Sequence, residues 1–160
     1  MKTDRVTVET LAQKARSLGF ASVEVATPVQ PKPGVKPAKG ALVECADAKR
    51  LCALLEANEG LRVNPFKTID YWKNGGLYAA LKAHSVEIPF AFFLNSAKPA
   101  KEISRARAFV KKIARKGLHY RIVSGASDEY ELRSPRDLAA FGILLGLTRE
   151  QALAAVGESK

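Results

Sequence analysis

What most constrains the fold of this 160-residue chain is an alternation: short apolar, strand-like runs repeatedly give way to segments of helical periodicity. Val8, Leu11, Ala12, Ala15 and Leu18 recur at helical spacing, and Gly19 supplies a stop. Ala21–Ala26 (ASVEVA) then alternates as a strand. Ala41–Cys45 (ALVEC) reads as a short buried strand, and Asp47 as the cap of a helix that buries Leu51, Leu54 and Leu55. Leu61–Val63 is a weaker strand, and a helix is expected around Leu77–Ala83. Val86–Leu94 (VEIPFAFFL) is the most apolar strand, with Pro89 at its start or at a bulge, because proline removes a ladder donor. The long helix predicted over Lys101–Lys116 stops at Gly117 and leads into a strand over His119–Ser124. Ser134-Pro135 opens another helix as cap and first helical residue, with Leu138, Phe141, Leu144 and Leu145 on its core face. Thr148 and Gln151 then form a capping box for a last short helix.

This order implies βαβ units around a mostly parallel sheet. Five strands are predicted, none of them within Met1–Val8. A closed eight-stranded barrel needs more strands and typically about 250 residues, so periodicity alone points to an open sheet or a reduced barrel. Residues 1–160 are read as a single domain. Within it, Pro28–Gly40 (PVQPKPGVKPAKG) holds four prolines, two glycines and three lysines and forms no regular element. It is expected to be a stiff, basic surface loop. No apolar core of a signal peptide and no run of membrane-spanning length is found, which places the protein in the cytoplasm as an expectation. Cys45 and Cys52 have neither redox nor zinc spacing and are read as small buried thiols.

Charge narrows the function. Twenty-six Lys and Arg face sixteen Asp and Glu, a formal net charge of +10, and a polyanion relieves such self-repulsion. Nine cations crowd one segment: Lys98, Lys101, Arg105, Arg107, Lys111, Lys112, Arg115, Lys116 and Arg121, with Glu102 the one acid among them. Ile103, Ala106, Val110 and Ile113 mark the side by which the helix docks, so its other faces present the cations. Dipole compensation at a helix C-terminus accounts for one or two of these, not for nine. RNA phosphates would neutralise them and release counterions; a solvated charged face is the alternative. Lys32, Lys36 and Lys39 in the proline-rich loop, and Arg133 and Arg136 around a helix start, extend the basic surface. Ser124-Gly125-Ala126-Ser127 either brings backbone close to a partner or is a plain strand-end turn. Tyr71 and Trp72 beside Lys73 and Asn74 either stack on bases or plug the core.

Catalytic chemistry is hard to find. His84 and His119 are the only histidines and are read as packing or surface residues. Glu24, Glu44 and Glu87 lie on or beside three strands and would bind a metal or a base only if they faced one point. There is no Walker loop, no dinucleotide fingerprint and no nucleophile–His–acid set.

One stretch is more specific. Ile122–Ser127, Leu132–Ala140 and Leu144–Leu147 read IVSGAS, LRSPRDLAA and LLGL. This resembles the C-terminal signature of ribonuclease P protein component 3, the 30-kDa subunit family of archaeal and eukaryal ribonuclease P, here in a shortened member. Gln151-Ala152 in the following helix also matches, and Gly19-Phe20, Leu61–Pro65 and Ile88–Asn95 are looser points of likeness. The resemblance implies an α/β fold, a TIM-like (β/α) barrel of the polymerase and histidinol phosphatase type, shortened or incomplete and without that type's metal cluster. It also implies a ribonucleoprotein endonuclease that removes the 5′ leader from precursor tRNA. The RNA performs the cleavage with Mg2+, and a protein of this family binds no cofactor and has no catalytic residue. With a second small protein subunit it binds and stabilises the catalytic RNA. Arg133 and Arg136 are the basic residues that the resemblance matches best. A generic RNA-binding module, and a metal-dependent nuclease or phosphoesterase built on Glu44, Glu87 and a histidine, are the competing readings.

Overall fold

The computed structural model describes residues 3–6, 11–30 and 35–157. Their elements alternate nearly throughout. Strand β1 (Thr3–Val6), helix α1 (Leu11–Ser17) and β2 (Ser22–Val25) are followed by β3 (Leu42–Glu44), α2 (Ala48–Glu56) and β4 (Arg62–Asn64). Next come α3 (Gly75–Ala80), β5 (Ser85–Pro89), α4 (Phe90–Leu94), α5 (Pro99–Arg115) and β6 (His119–Val123). Helices α6 (Pro135–Leu144) and α7 (Arg149–Ala155) close the described chain. Strand β1 falls where none was expected, because a run as polar as Thr3-Asp4-Arg5-Val6 carries little periodic signal.

Strands β3, β4, β5 and β6 form a parallel sheet in sequence order, and β1 pairs with β2 in a separate parallel ladder. A single bridge, Val29 to Val43, links the connection after β2 to β3. This overturns the TIM-like barrel. Closure requires every strand to be laddered on both sides with a consistent tilt and stagger. Among the described residues there are six strands of three to five residues in two sheets, and the larger sheet is open.

Pleat alternation divides the larger sheet into two unlike faces. The register aligns Val43 with Val63, Val63 with Val86, and Ile88 with Ile122, all in the main core. Helices α5, α6 and α7 pack by β6. The opposite face carries Glu44, Arg62, Asn64, Glu87 and Arg121. Phe66 sits within an aromatic cluster, 5.1 Å from the Tyr71 ring, 5.2 Å from Phe93 and 5.8 Å from Phe109, all at edge-on angles.

Two local readings change. The apolar run after Ser85 is not one strand to Leu94: it ends at Pro89, where the ring removes the ladder donor, and Phe90 starts a short helix. A continuous apolar run fits a strand or a buried helix equally well. On α6, Leu138, Phe141 and Leu145 are buried, but Leu144 is 50% exposed. Cys45 is buried and Cys52 half-buried, and both are free thiols.

Candidate nucleic-acid interface

Helix α5 is built for docking on one side. Pro99 occupies its first turn, where a missing N–H costs nothing, and Glu102 suits the positive end of the dipole. Ala106, Phe109, Val110 and Ile113 are fully buried. Ser104, Arg107, Lys111 and Arg115 are exposed at successive spacings of three or four, which places them along one outward line. Lys98, Lys101 and Lys116 are exposed as well. Among the described residues no carboxylate forms an ion pair with Arg107, Lys111 or Arg115.

Other cations from the same segment are engaged inside the protein. The Arg105 guanidinium lies 4.0 Å from the centre of the Trp72 ring, and its Nη1 donates to Glu102 at 2.6 Å. Lys112 Nζ lies 4.0 Å over the Tyr78 ring, whose hydroxyl is pushed up to about 12 by burial. Trp72 is half-buried and packs against the core, so it belongs to the docking of α5. Arg121 lies on the polar sheet face and pairs with Glu87 and Glu24.

The signature stretch is also largely architectural. Ser124 is fully buried, and its Oγ accepts the Arg133 amide at 3.2 Å, which ties the strand end to the segment before α6. Arg133 Nη1 donates to the carbonyls of Tyr130 and Leu132, and its guanidinium sits 4.8 Å from the Phe90 ring. Ser134 caps α6 in a reciprocal box with Asp137, and Arg136 is exposed in the first turn. Lys36 and Lys39 are exposed on the proline-rich loop, whereas Lys32 lies outside the described residues.

The acids do not assemble a metal centre. Arg62 Nη1 contacts Glu24 at 2.6 Å and Glu87 at 3.3 Å, so these two glutamates share arginines. Glu44 is held separately, accepting from Asn64 and from Lys67, each at 2.6 Å. His84 is buried: its Nδ1 accepts the Leu61 amide, and its Nε2 faces the Leu55 carbonyl at 3.0 Å. Among the described residues no three His, Cys, Asp or Glu side chains could hold a metal ion together. The carboxyl ends of the strands, where α/β sheets usually seat ligands, border a cleft of about 500 Å3 with Glu44, Asn64, Lys67 and Glu131 on its walls. Glu131 is itself engaged. Burial alone would raise its pKa, but hydrogen bonds from the Ser127 amide, the Asn95 carboxamide, the Ser127 hydroxyl and the Asp128 amide outweigh it, and the carboxyl is held below the ordinary range.

Sequence reasoning gathered the cations but missed Arg62, whose role depends on strand register. It also could not separate engaged from outward-facing cations. Helical spacing did carry part of that signal, since Arg105 and Lys112 fall off the line through Arg107, Lys111 and Arg115.

Comparison with known proteins bears on residues 78–160, just over half of the chain, which match the family model for RNase P subunit p30. That span takes in the end of α3 and everything from β5 onward, including the basic helix. No curated protein matches the chain.

Proposed function

We propose, from the premise that the chain belongs to the RNase P subunit p30 family, that it is a non-catalytic protein subunit of ribonuclease P which binds and stabilises the catalytic RNA. In this reading the RNA, with Mg2+, removes the 5′ leader from precursor tRNA, and a second small protein subunit works alongside this one. The family match carries the proposal, and the outward cation line of α5 supports it: Arg107, Lys111 and Arg115 gain phosphate partners and release counterions on RNA binding. Lys98, Lys101, Lys116, Arg136, Lys36 and Lys39 widen the same electrostatic footprint.

Reconstitution tests it. Purified protein, a ribonuclease P RNA and the partner subunit are combined, and precursor-tRNA cleavage is followed with each component omitted in turn. The expected result is a protein that is inert alone but lowers the Mg2+ requirement of the RNA or raises its rate. If omission of this protein changes neither, with RNA and partner shown to be folded, the subunit reading falls and a generic RNA-binding role replaces it.

A further inference from the structure

A notch of about 360 Å3 opens between the C-terminal half of α5 and the turn joining α6 to α7, lined by Lys111, Ala114, Arg115, Gly146 and Gln151. Two cations and a carboxamide line it, and no carboxylate does.

Each polar group is placed by something specific. Lys111 and Arg115 are four residues apart, so both side chains rise on the same helical face. Gly146 has φ +91°, a backbone conformation that disfavours side chains, and it leaves room for the Lys111 stem. A Cβ there would collide with Lys111 Cε and lie 3.3 Å from Cγ and 3.4 Å from Cδ, so the glycine lets the lysine stem lie flat across the turn. Gln151 is pinned at both ends of a capping box: its amide donates to Thr148 Oγ1 at 3.2 Å, and its Oε1 accepts the Thr148 amide at 3.0 Å. With Oε1 taken, the end of the carboxamide left to serve the notch is Nε2, a donor. The notch therefore offers an ammonium, a guanidinium and an amide donor, a set that suits an anion with several acceptor oxygens.

Resting on the RNA-binding reading, we propose that this notch seats a phosphodiester of the bound RNA strand, with Lys111, Arg115 and the Gln151 carboxamide as its ligands. RNA, rather than free phosphate, fits because the site continues outward. Arg107 lies four residues before Lys111, about 6 Å along the helix axis, in line to meet a neighbouring phosphate. A lone phosphate would gain nothing from Arg107.

Gln151→Glu tests this without removing the cap, since a glutamate carboxylate also accepts the Thr148 amide. It replaces the donor with an anion. Binding of a ribonuclease P RNA is measured against salt concentration for the wild type, Gln151→Glu, Lys111→Ala/Arg115→Ala and, as a control, Lys49→Ala at an exposed position on α2, with circular dichroism to confirm folding. Inorganic phosphate is titrated in parallel. The expected result is RNA binding about tenfold weaker for Gln151→Glu, and a salt slope lower by about one to two for the double variant. The Lys49 variant should match the wild type in affinity and slope, and inorganic phosphate should bind far more weakly than RNA. If the wild type binds RNA and both notch variants match its affinity and slope, the notch proposal is overturned while the RNA-binding reading survives. If inorganic phosphate binds as tightly as RNA, the notch is an anion site independent of the RNA strand and the proposal is again overturned. A wild type that binds no RNA removes both.

Discussion

Arg121 on β6 donates through both Nε and Nη2 to Glu87 Oε1 on the neighbouring β5, at 3.0 and 2.5 Å, and the Glu87 side chain has no exposure to solvent. The same Nη2 reaches Glu24 on β2 at 3.1 Å, so one guanidinium ties the four-stranded sheet to the two-stranded one. The attraction of Glu87 is what chiefly raises the Arg121 pKa against the opposing effect of burial. Arg121→Met should destabilise the protein by about 3 kcal/mol, because it leaves a buried carboxylate short of a partner. Urea unfolding measures the loss. The RNA salt slope of the folded variant should stay close to that of the wild type, since this cation is already neutralised within the fold.

Tyr71 behaves in the opposite sense. Its side chain is fully buried, and among the described residues its hydroxyl has no hydrogen-bond partner. Burial pushes its pKa upward accordingly. Tyr71→Phe keeps the edge-on contacts with Phe66 and Phe109 and removes an unsatisfied polar atom. Thermal unfolding should show the variant at least as stable as the wild type, with a gain of up to about 1 kcal/mol; a clear loss would reveal a partner for the hydroxyl.

The contrast between these residues explains what was legible in the sequence. Strand–helix alternation and caps are local, so the βαβ order and the boxes at Ser134 and Thr148 could be read directly. Register is not local. That Arg121 stands opposite Glu87, or that Arg62 joins Glu24 to Glu87, depends on pairings across 25 to 97 residues of chain. The barrel expectation came from the resemblance and failed on strand pairing, which leaves no pattern in a single sequence. Cation count was readable along α5, but whether a cation faces water or an aromatic ring depends on Trp72 and Tyr78, which come from a distant segment.

Glu131 gives a pH-dependent prediction. Its folded pKa is depressed, so its contribution to stability is fully present above the ordinary carboxylate range of about 4 and is lost as pH falls through the lower folded value. Glu131→Gln should cost about 1–3 kcal/mol near pH 7, because a carboxamide cannot accept at both oxygen positions from Ser127 and Asn95. Unfolding curves for the two proteins should converge in acid. Curves separated by the same amount at pH 7 and at pH 3 would show that the carboxylate charge has no part in holding the turn.

Gly142 tests how closely the signature helix is packed. A Cβ there would lie 2.6 Å from Ile122 Cδ1 and 3.0 Å from Ala152 Cβ, so α6 meets β6 and α7 with no room for a methyl group. Gly142→Ala should destabilise by about 1–3 kcal/mol despite alanine's better helix propensity. Gly75→Ala, where the added Cβ meets nothing, is the control. Equal stability of the two variants would show that the α6–β6 contact relaxes freely.

Arg105 and Arg107 stand two residues apart on α5, and the fold assigns them different work. Arg105 lies over Trp72 and donates to Glu102, so its charge is partly spent and its stem is packed. Arg107 is exposed on the outward line with Lys111 and Arg115. Arg105→Ala should cost about 1 kcal/mol of stability and leave the salt slope of RNA binding nearly unchanged. Arg107→Ala should leave stability within about 0.5 kcal/mol and reduce that slope by about one, the signature of one lost phosphate contact. Urea unfolding and salt-dependent RNA binding, measured on both variants, separate the two roles. The opposite assignment, with Arg105 carrying the slope and Arg107 the stability, would mean that RNA approaches from the Trp72 side of the helix and that the Lys111–Arg115 line faces away from it.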